Sequence, residues 1–117
     1  MVQVVAQETA DAARAVEAWR SRRHPVTAVC AYNDEIALAL LAGIRTLGLQ
    51  VPSDLAVVGM DDILQAKLAA PPLTTVAVDN PRFAKHLADS VVRTLDGKPL
   101  PELPSDGFGQ LVVRESA

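Results

Sequence analysis

The sequence is poor in cysteine, in aromatic residues and in long apolar runs. Of its 117 residues, one is cysteine, one tryptophan, one tyrosine and two phenylalanine. A single cysteine, Cys30, excludes an internal disulfide, and this cysteine usage is typical of a reducing compartment. The place of Cys30 in a predicted strand indicates a small buried side chain. No run reaches the roughly 18 apolar residues that a membrane span needs. No signal peptide is visible at the N-terminus, so we predict a cytoplasmic protein without membrane contact.

Positive charge is not in excess, since 11 lysines and arginines stand against 14 acidic residues, the formal net charge is -3 and the isoelectric point is near 5.2. This balance of charge argues against a surface on this chain that binds nucleic acid or anionic lipid. Half of the residues are apolar and 21% are charged, which is typical of a globular domain. The chain has no Walker loop, no nucleophile elbow and no pair of histidines at metal-binding spacing. We therefore predict no enzyme activity, no cofactor and no metal site formed by histidines.

The clearest pattern lies between residues 28 and 62, AVCAYNDEIALALLAGIRTLGLQVPSDLAVVGMDD. Short β-branched runs at Val26–Tyr32 and Leu55–Met60 predict parallel strands covered on both faces. Between these runs apolar residues recur at helical spacing, and Gly48 stands where a helix would end in a left-handed cap. A strand, a crossover helix and a parallel strand are usually neighbours with a right-handed connection. This segment therefore predicts two adjacent parallel strands.

A polar pair follows each of these strands, Asn33-Asp34 after the first and Asp61-Asp62 after the second. Both pairs should emerge at the carboxyl edge of the sheet, where open α/β folds bind ligands. Three interpretations of the acidic residues are open: a magnesium site as in phosphoryl-accepting domains, caps for the following helices, or recognition of a polyhydroxylated ligand.

The position of each polar residue along the chain favours different roles within each pair. Asp34 and Asp62 directly precede helical runs, which favours capping. Asn33 and Asp61 lie one residue nearer their strands and should point over the sheet edge, so we predict that they contact a ligand. Tyr32 is a further candidate, because it could offer its ring to a ligand.

The rest of the chain continues the alternation of strands and helices. We predict a strand at residues 2–6, helices at 9–23 and 63–70, a strand at 73–78, a helix at 80–97, an irregular connection at 98–110 and a strand at 111–114. Asn80 and Pro81 mark a helix start, as N-cap and first helical residue. The order predicts a single α/β domain over residues 1–117, with a three-layer αβα architecture and a mostly parallel sheet.

Four motifs in sequence carry a resemblance. They are Asn-Asp after a strand, Val-Pro-x-Asp-Leu-x-Val-Val-Gly-x-Asp-Asp, Pro-Pro-Leu-Thr-Thr-Val and a closing Leu-Val-Val-Arg-Glu-Ser. In this order they resemble the C-terminal half of the effector-binding domain of LacI/GalR-type transcriptional regulators. The resemblance covers nearly the whole chain and implies one lobe of a periplasmic-binding-protein-like fold of type I.

The resemblance also implies a function and the residues that serve it. Regulators of this type bind a small molecule, often a carbohydrate or nucleoside-like compound, between two lobes, and Asn33, Asp61 and Val78 match their ligand-contacting positions. They pair as dimers, and Ile36, Leu38 and Leu68 are the plausible contacts, the first two in the helix that starts at Asp34 and the third in the segment from 63 to 70. They bind DNA through an N-terminal helix-turn-helix, which this chain does not contain.

Residues 79–110 resemble the segment that crosses to the N-terminal lobe of such regulators. The helix within it carries an apolar face formed by Phe83, Leu87, Val91 and Leu95. Because burial stabilises such a helix, we predict that this face folds back on its own domain or docks on a second copy. The alternative function is a solute-binding protein of a sugar transporter, although the Thr-Thr-Val and Arg-Glu-Ser motifs favour the regulator.

Overall fold

A computed structural model describes residues 1–117. Helices and strands alternate through the chain as α1 (Thr9–Arg20), β1 (Ala28–Cys30), α2 (Asp34–Thr46), β2 (Ala56–Met60), α3 (Leu64–Leu68), β3 (Thr74–Val78), α4 (Asn80–Leu95) and β4 (Gly109–Val112). The strands form one sheet in the order β1-β2-β3-β4, in which β1, β2 and β3 are parallel and β4 is antiparallel to β3. The predicted α/β class with a mostly parallel sheet is confirmed.

The core forms where α1 and α2 pack on each other and α2 packs on β2. Its buried apolar residues are Ala12, Ala15, Val16, Trp19, Ala37, Leu40, Leu41, Ile44, Leu55, Val57, Ala66 and Leu73. The α2 members recur at helical spacing, which is the periodicity that predicts this helix. Burial of each large side chain contributes about 1.5–3 kcal/mol.

The helix boundaries follow local capping chemistry, with shifts of one residue. Gly48 follows the end of α2 with φ of 69°, the left-handed conformation predicted for it. The N-cap of α2 is Asn33 and not Asp34, and the N-cap of α4 is Asp79 and not Asn80. In each case the side chain that accepts a hydrogen bond from an N–H of the first turn lies one residue earlier than predicted.

The first strand predicted from the sequence, residues 2–6, is not part of the sheet. β1 is the edge strand instead, and no backbone hydrogen bond joins residues 1–5 to it. A groove of about 800 Å³ separates the N-terminal segment Met1–Val5 from the segment Ala28–Tyr32, and we call it the edge groove. Cys30 is therefore exposed, contrary to the prediction that it is buried, because it lies on the free edge of the sheet.

α4 stands apart from the core. None of its residues is buried, and Leu87 is 54% exposed. Of the two predicted outcomes for the apolar face of α4, folding back on its own domain is not observed. Docking on a second copy stays a prediction. The radius of gyration is 17.6 Å, whereas a compact chain of this length has about 13 Å. The elongated shape, 56 × 28 × 24 Å, reflects this helix without a packed face.

Candidate functional site at the carboxyl edge of the sheet

Asn33 is the residue that connects β1 to α2. Its side-chain oxygen accepts a hydrogen bond from the Ile36 N–H at 2.9 Å, and its Nδ2 donates to Glu35 at 2.9 Å. The amide oxygen thus satisfies one of the free N–H groups at the start of the helix. The cap fixes the side chain of Asn33, which remains half-buried, at the carboxyl end of β1.

Asp34 is fully buried and does not cap the helix. One carboxylate oxygen accepts a hydrogen bond from the Thr75 hydroxyl at 2.5 Å, and the other accepts from the Ile63 N–H at 2.9 Å. These bonds join the start of α2 to β3 and to the loop after β2. A buried carboxylate needs such partners, because leaving it unpaired would be costly.

Gly59 leaves the space that Asp34 occupies. A Cβ atom added at Gly59 would overlap the Asp34 Oδ1 and would lie 3.0 Å from the Leu73 side chain. Glycine is therefore the residue that allows the carboxylate to approach the strand so closely. The Gly in the Val-Val-Gly-x-Asp-Asp motif serves this contact.

Asp61 and Asp62 form a strained turn directly after β2. Their φ angles are 108° and 52°, both in a region that residues with side chains rarely adopt. The Asp61 N–H donates to the Val76 carbonyl at 2.8 Å, and Arg114 Nη2 donates to Asp62 at 2.6 Å. Asp62 was predicted to cap the next helix, but it forms this ion pair instead. The turn is held on both sides and leaves Asp61 exposed.

Val78 ends β3 and lies beside a second, more polar depression of about 520 Å³. At its wall Arg82 donates to both carboxylate oxygens of Asp106 at 2.9 Å, and its guanidinium stands 5.8 Å from the centre of the Phe108 ring. The hydrogen bonds from Arg82 lower the pKa of Asp106, and the same carboxylate raises the pKa of Arg82. Val78 itself is half-buried.

Two of the four predicted ligand-contacting residues, Asn33 and Asp61, lie on segments that one hydrogen bond joins. The bond from the Ile63 N–H to Asp34 ties the loop that carries Asp61 to the residue that follows Asn33. Val78 lies two residues beyond Val76, to which Asp61 is bonded. Tyr32 is 87% exposed and lines the edge groove rather than this contact.

The three predicted dimer contacts differ in exposure. Ile36 and Leu38 are partly buried against the core, and Ile36 also lines the edge groove. Leu68 on α3 is 73% exposed, and Leu64, one turn earlier on the same helix face, is 61% exposed. Leu64 was not among the predicted contacts, although its spacing of four residues from Leu68 is visible in the sequence.

The acidic residues do not converge on a common centre. Asp34 is satisfied by Thr75 and Ile63, Asp62 by Arg114, and only Asp61 has a side chain without a bonding partner. No group of three or more potential ligands could hold a metal ion. The interpretation of these carboxylates as a magnesium site is not supported by this geometry.

Comparison with known proteins identifies the fold family. The model of the periplasmic binding protein-like domain matches residues 2–117. The chain belongs to this family. The PurR transcriptional repressor of Vibrio vulnificus strain CMCP6 is 32% identical over 105 residues, which are 90% of this chain and 30% of the repressor. The transcriptional regulator GalR of Escherichia coli strain K12 is 33% identical over 90 residues, which are 77% of this chain and 26% of GalR.

Solved structures agree with this assignment to the periplasmic binding protein-like family. A LacI family regulator from Arthrobacter sp. FB24, in complex with lactose, has a TM-score of 0.66 and 30% identity over 97% of this chain and 42% of that one. A sugar-binding LacI family regulator from Escherichia coli, complexed with phosphate, has a TM-score of 0.69 and 28% identity over 94% of this chain and 39% of that one. The predicted resemblance to LacI/GalR-type regulators is confirmed.

These relatives are transcriptional regulators and not enzymes. The chain spans only 26–30% of the length of the two curated relatives. None of its helices is both long and apolar enough to cross a membrane.

Proposed function

We propose that this chain is the C-terminal part of the effector-binding domain of a LacI/GalR-type transcriptional regulator. The observation that carries the proposal is the strained Asp61-Asp62 turn, fixed by Val76, Asp34 and Arg114 at the carboxyl edge of the sheet. A turn held in an unfavourable conformation at such an edge is typical of a functional site.

The proposed effector is a polyhydroxylated small molecule, a carbohydrate or a nucleoside-like compound. The free carboxylate of Asp61 can accept hydrogen bonds from two hydroxyl groups, and the Asn33 amide can donate to another. Val78 would contact an apolar part of the molecule, and Tyr32 would offer its ring at the margin. The bound lactose of the Arthrobacter neighbour is consistent with this class of ligand.

The proposed regulator works in the cytoplasm as a homodimer and binds DNA through a helix-turn-helix outside this chain. Ile36, Leu38 and Leu68 are the proposed dimer contacts. The effector would change operator binding by altering the arrangement of the paired domains. The negative charge of this chain agrees with DNA binding by a different segment.

We expect this chain to bind its effector weakly. One edge of one sheet leaves the opposite face of a ligand in water, whereas small-molecule sites usually bury most of the ligand surface. Binding should therefore be measured by a method that detects millimolar affinity.

The test is a titration of the isotope-labelled chain with lactose, sucrose and adenosine, followed by NMR. We expect one of these probes to shift the amide signals of Asn33, Asp61 and Val78. Asp61→Ala should abolish the shifts, because it removes the free carboxylate, whereas Asp96→Ala, at the far end of α4, should leave them unchanged. Shifts that survive in Asp61→Ala, or no shifts up to the solubility limit of all three probes, would contradict the proposal.

A further inference from the structure

Carboxylates outside any ion pair follow all three parallel strands of the sheet. Glu35 follows β1 in the first turn of α2, Asp61 follows β2, and Asp79 follows β3. All three residues are exposed, and none of them takes part in an ion pair. Because parallel strands end at one edge of a sheet, these charges share the edge at which the candidate site lies.

Four cations outside any ion pair lie at the opposite edge of the sheet. Each stands at or just after the end of a helix that leads into the start of a parallel strand. They are Arg22, Arg23, Arg45 and Lys67. Arg93 is in the last turn of α4, about 20 Å along the helix from Asp79. The free charges of the chain are thus separated, with the negative ones at the candidate site.

Two arginines border the candidate site, and both are occupied. Arg114 Nη2 donates to Asp62 at 2.6 Å, and Arg82 donates to both carboxylate oxygens of Asp106 at 2.9 Å. Each guanidinium charge is therefore balanced by its own carboxylate and does not offset Glu35 or Asp61.

Glu35 also fixes the orientation of the Asn33 amide. Nδ2 of Asn33 donates to Glu35 at 2.9 Å, and the amide oxygen accepts from the Ile36 N–H at 2.9 Å. These two bonds leave one N–H of Nδ2 for a ligand. The start of a helix carries a partial charge of about +0.5 and so attracts anions, but the full negative charge of Glu35 exceeds it here.

We propose that this edge selects its ligand by charge, with Glu35 as the specificity-determining residue. The edge binds an uncharged or ammonium-bearing polyhydroxylated molecule and excludes the phosphorylated form of the same molecule. Hydroxyl groups can donate to Glu35 and Asp61 and accept from Asn33, whereas a phosphate dianion only accepts and brings negative charge next to the carboxylates. The inference rests on the proposed function, because it concerns the ligand of the same site.

The first test compares matched ligands by NMR. Lactose, sucrose and adenosine are each titrated beside their phosphate monoesters, at neutral pH and low salt. We expect each monoester to bind at least about tenfold more weakly than its uncharged parent, because the charges repel. The difference should shrink at high salt, since exposed charges are screened.

The second test measures the charge preference of the edge without any effector. Amino-TEMPO is a cation and carboxy-TEMPO an anion, and both nitroxides broaden the signals of the amides that they approach. We expect the cation to broaden the amide signals of Asn33 and Asp61 about threefold more than the anion, because the potential over a charged surface can exceed thermal energy.

Two matched variants assign the preference to Glu35. Glu35→Gln removes the charge but retains an acceptor for the Asn33 amide, and it should reduce both preferences about twofold. Glu17→Gln, at an exposed position near the end of α1 that leads to the start of β1, is the control. It changes the net charge of the chain by the same amount and should leave both preferences unchanged.

Three results would overturn the proposal. The first is a phosphate monoester that binds as tightly as its uncharged parent or more tightly. The second is equal broadening by the two nitroxides, and the third is a Glu35→Gln variant with undiminished preferences. If none of the three uncharged probes binds, the proposed function fails, and the nitroxide comparison still decides whether the edge selects by charge.

Discussion

At the scale of single residues, the candidate site depends on Asp34, which no ligand is expected to contact. Its carboxylate holds the loop that carries Asp61 and, through Thr75, the adjacent strand. A ligand-contacting residue on a strained turn needs such a support, because the turn would otherwise relax to a common conformation. Asp34 therefore acts on the site through Ile63.

We expect Asp34→Ala to destabilise the fold. The change leaves the Thr75 hydroxyl and the Ile63 N–H without their acceptor, at a cost of about 1–3 kcal/mol for each unpaired donor. Urea denaturation measures the free energy of unfolding. Glu102→Ala, at an exposed position, is the control and should change it by less than about 0.5 kcal/mol. Equal stability of the two variants would show that Asp34 is not a support.

The Arg82–Asp106 pair gives a prediction about pH. We expect the carboxyl group of Asp106 to titrate below its ordinary pKa of 3.8, because Arg82 donates hydrogen bonds to the charged form. A lowered pKa in the folded state means that the pair stabilises the fold above pH 3.8 and that this contribution is lost as the pH falls through the lower, folded value. Carboxyl carbon shifts measured by NMR report the pKa. In Arg82→Met it should return towards 3.8, and an unchanged value would show that the pair does not persist in solution.

At the scale of elements, α2 and α4 are both amphipathic, but only α2 is packed. Leu40 of α2 is 1% exposed, whereas Leu87 of α4 is 54% exposed. The apolar face of α4 contacts the loop after it, where the Phe83 and Phe108 rings meet edge to face at 5.3 Å. α4 therefore has a face that is available to a partner.

The same substitution in these two helices should have different costs. We expect Leu40→Ala to lower the free energy of unfolding by about 2–5 kcal/mol, because it opens a cavity in the core. Leu87→Ala should change it by less than about 0.5 kcal/mol, because more than half of Leu87 is already exposed to solvent. Urea denaturation at low micromolar concentration measures both. A cost above 1 kcal/mol for Leu87→Ala, roughly the average for point mutants, would mean that α4 is covered in solution.

At the scale of the whole molecule, two exposed apolar surfaces could join copies of the chain. One is on α3, where Leu64 and Leu68 are exposed, and the other is the face of α4. Leu68, one of the proposed dimer contacts, lies on the α3 surface, so we propose that the regulator pairs through that surface. A protein that exposes contiguous apolar patches usually uses them for association.

We expect light scattering over a concentration series to show a dimer that Leu68→Asp dissociates. A charge on α3 would be buried without a partner at the proposed contact, which is strongly unfavourable. Leu87→Asp is the matched control on α4 and should leave the dimer intact. Dissociation by Leu87→Asp alone would assign the contact to α4, and a monomer at all concentrations would contradict the predicted pairing.

The sequence by itself determined the helices and strands from α1 onwards and the edge of the sheet at which the candidate site lies. Helical periodicity, the β-branched runs and the glycine after α2 depend on neighbours a few residues away, so they can be recognised without the fold. The motifs also sufficed to indicate the LacI/GalR resemblance. The chemistry of Asn33 and Asp61 followed from their place directly after parallel strands.

Only the tertiary structure decided what the second member of each polar pair binds. Asp34 is buried because Thr75, 41 residues away, and Ile63, 29 residues away, supply its donors. Asp62 is occupied by Arg114, at a separation of 52 residues. Such partners are set by the packing of distant segments, and local sequence carries no signal for them.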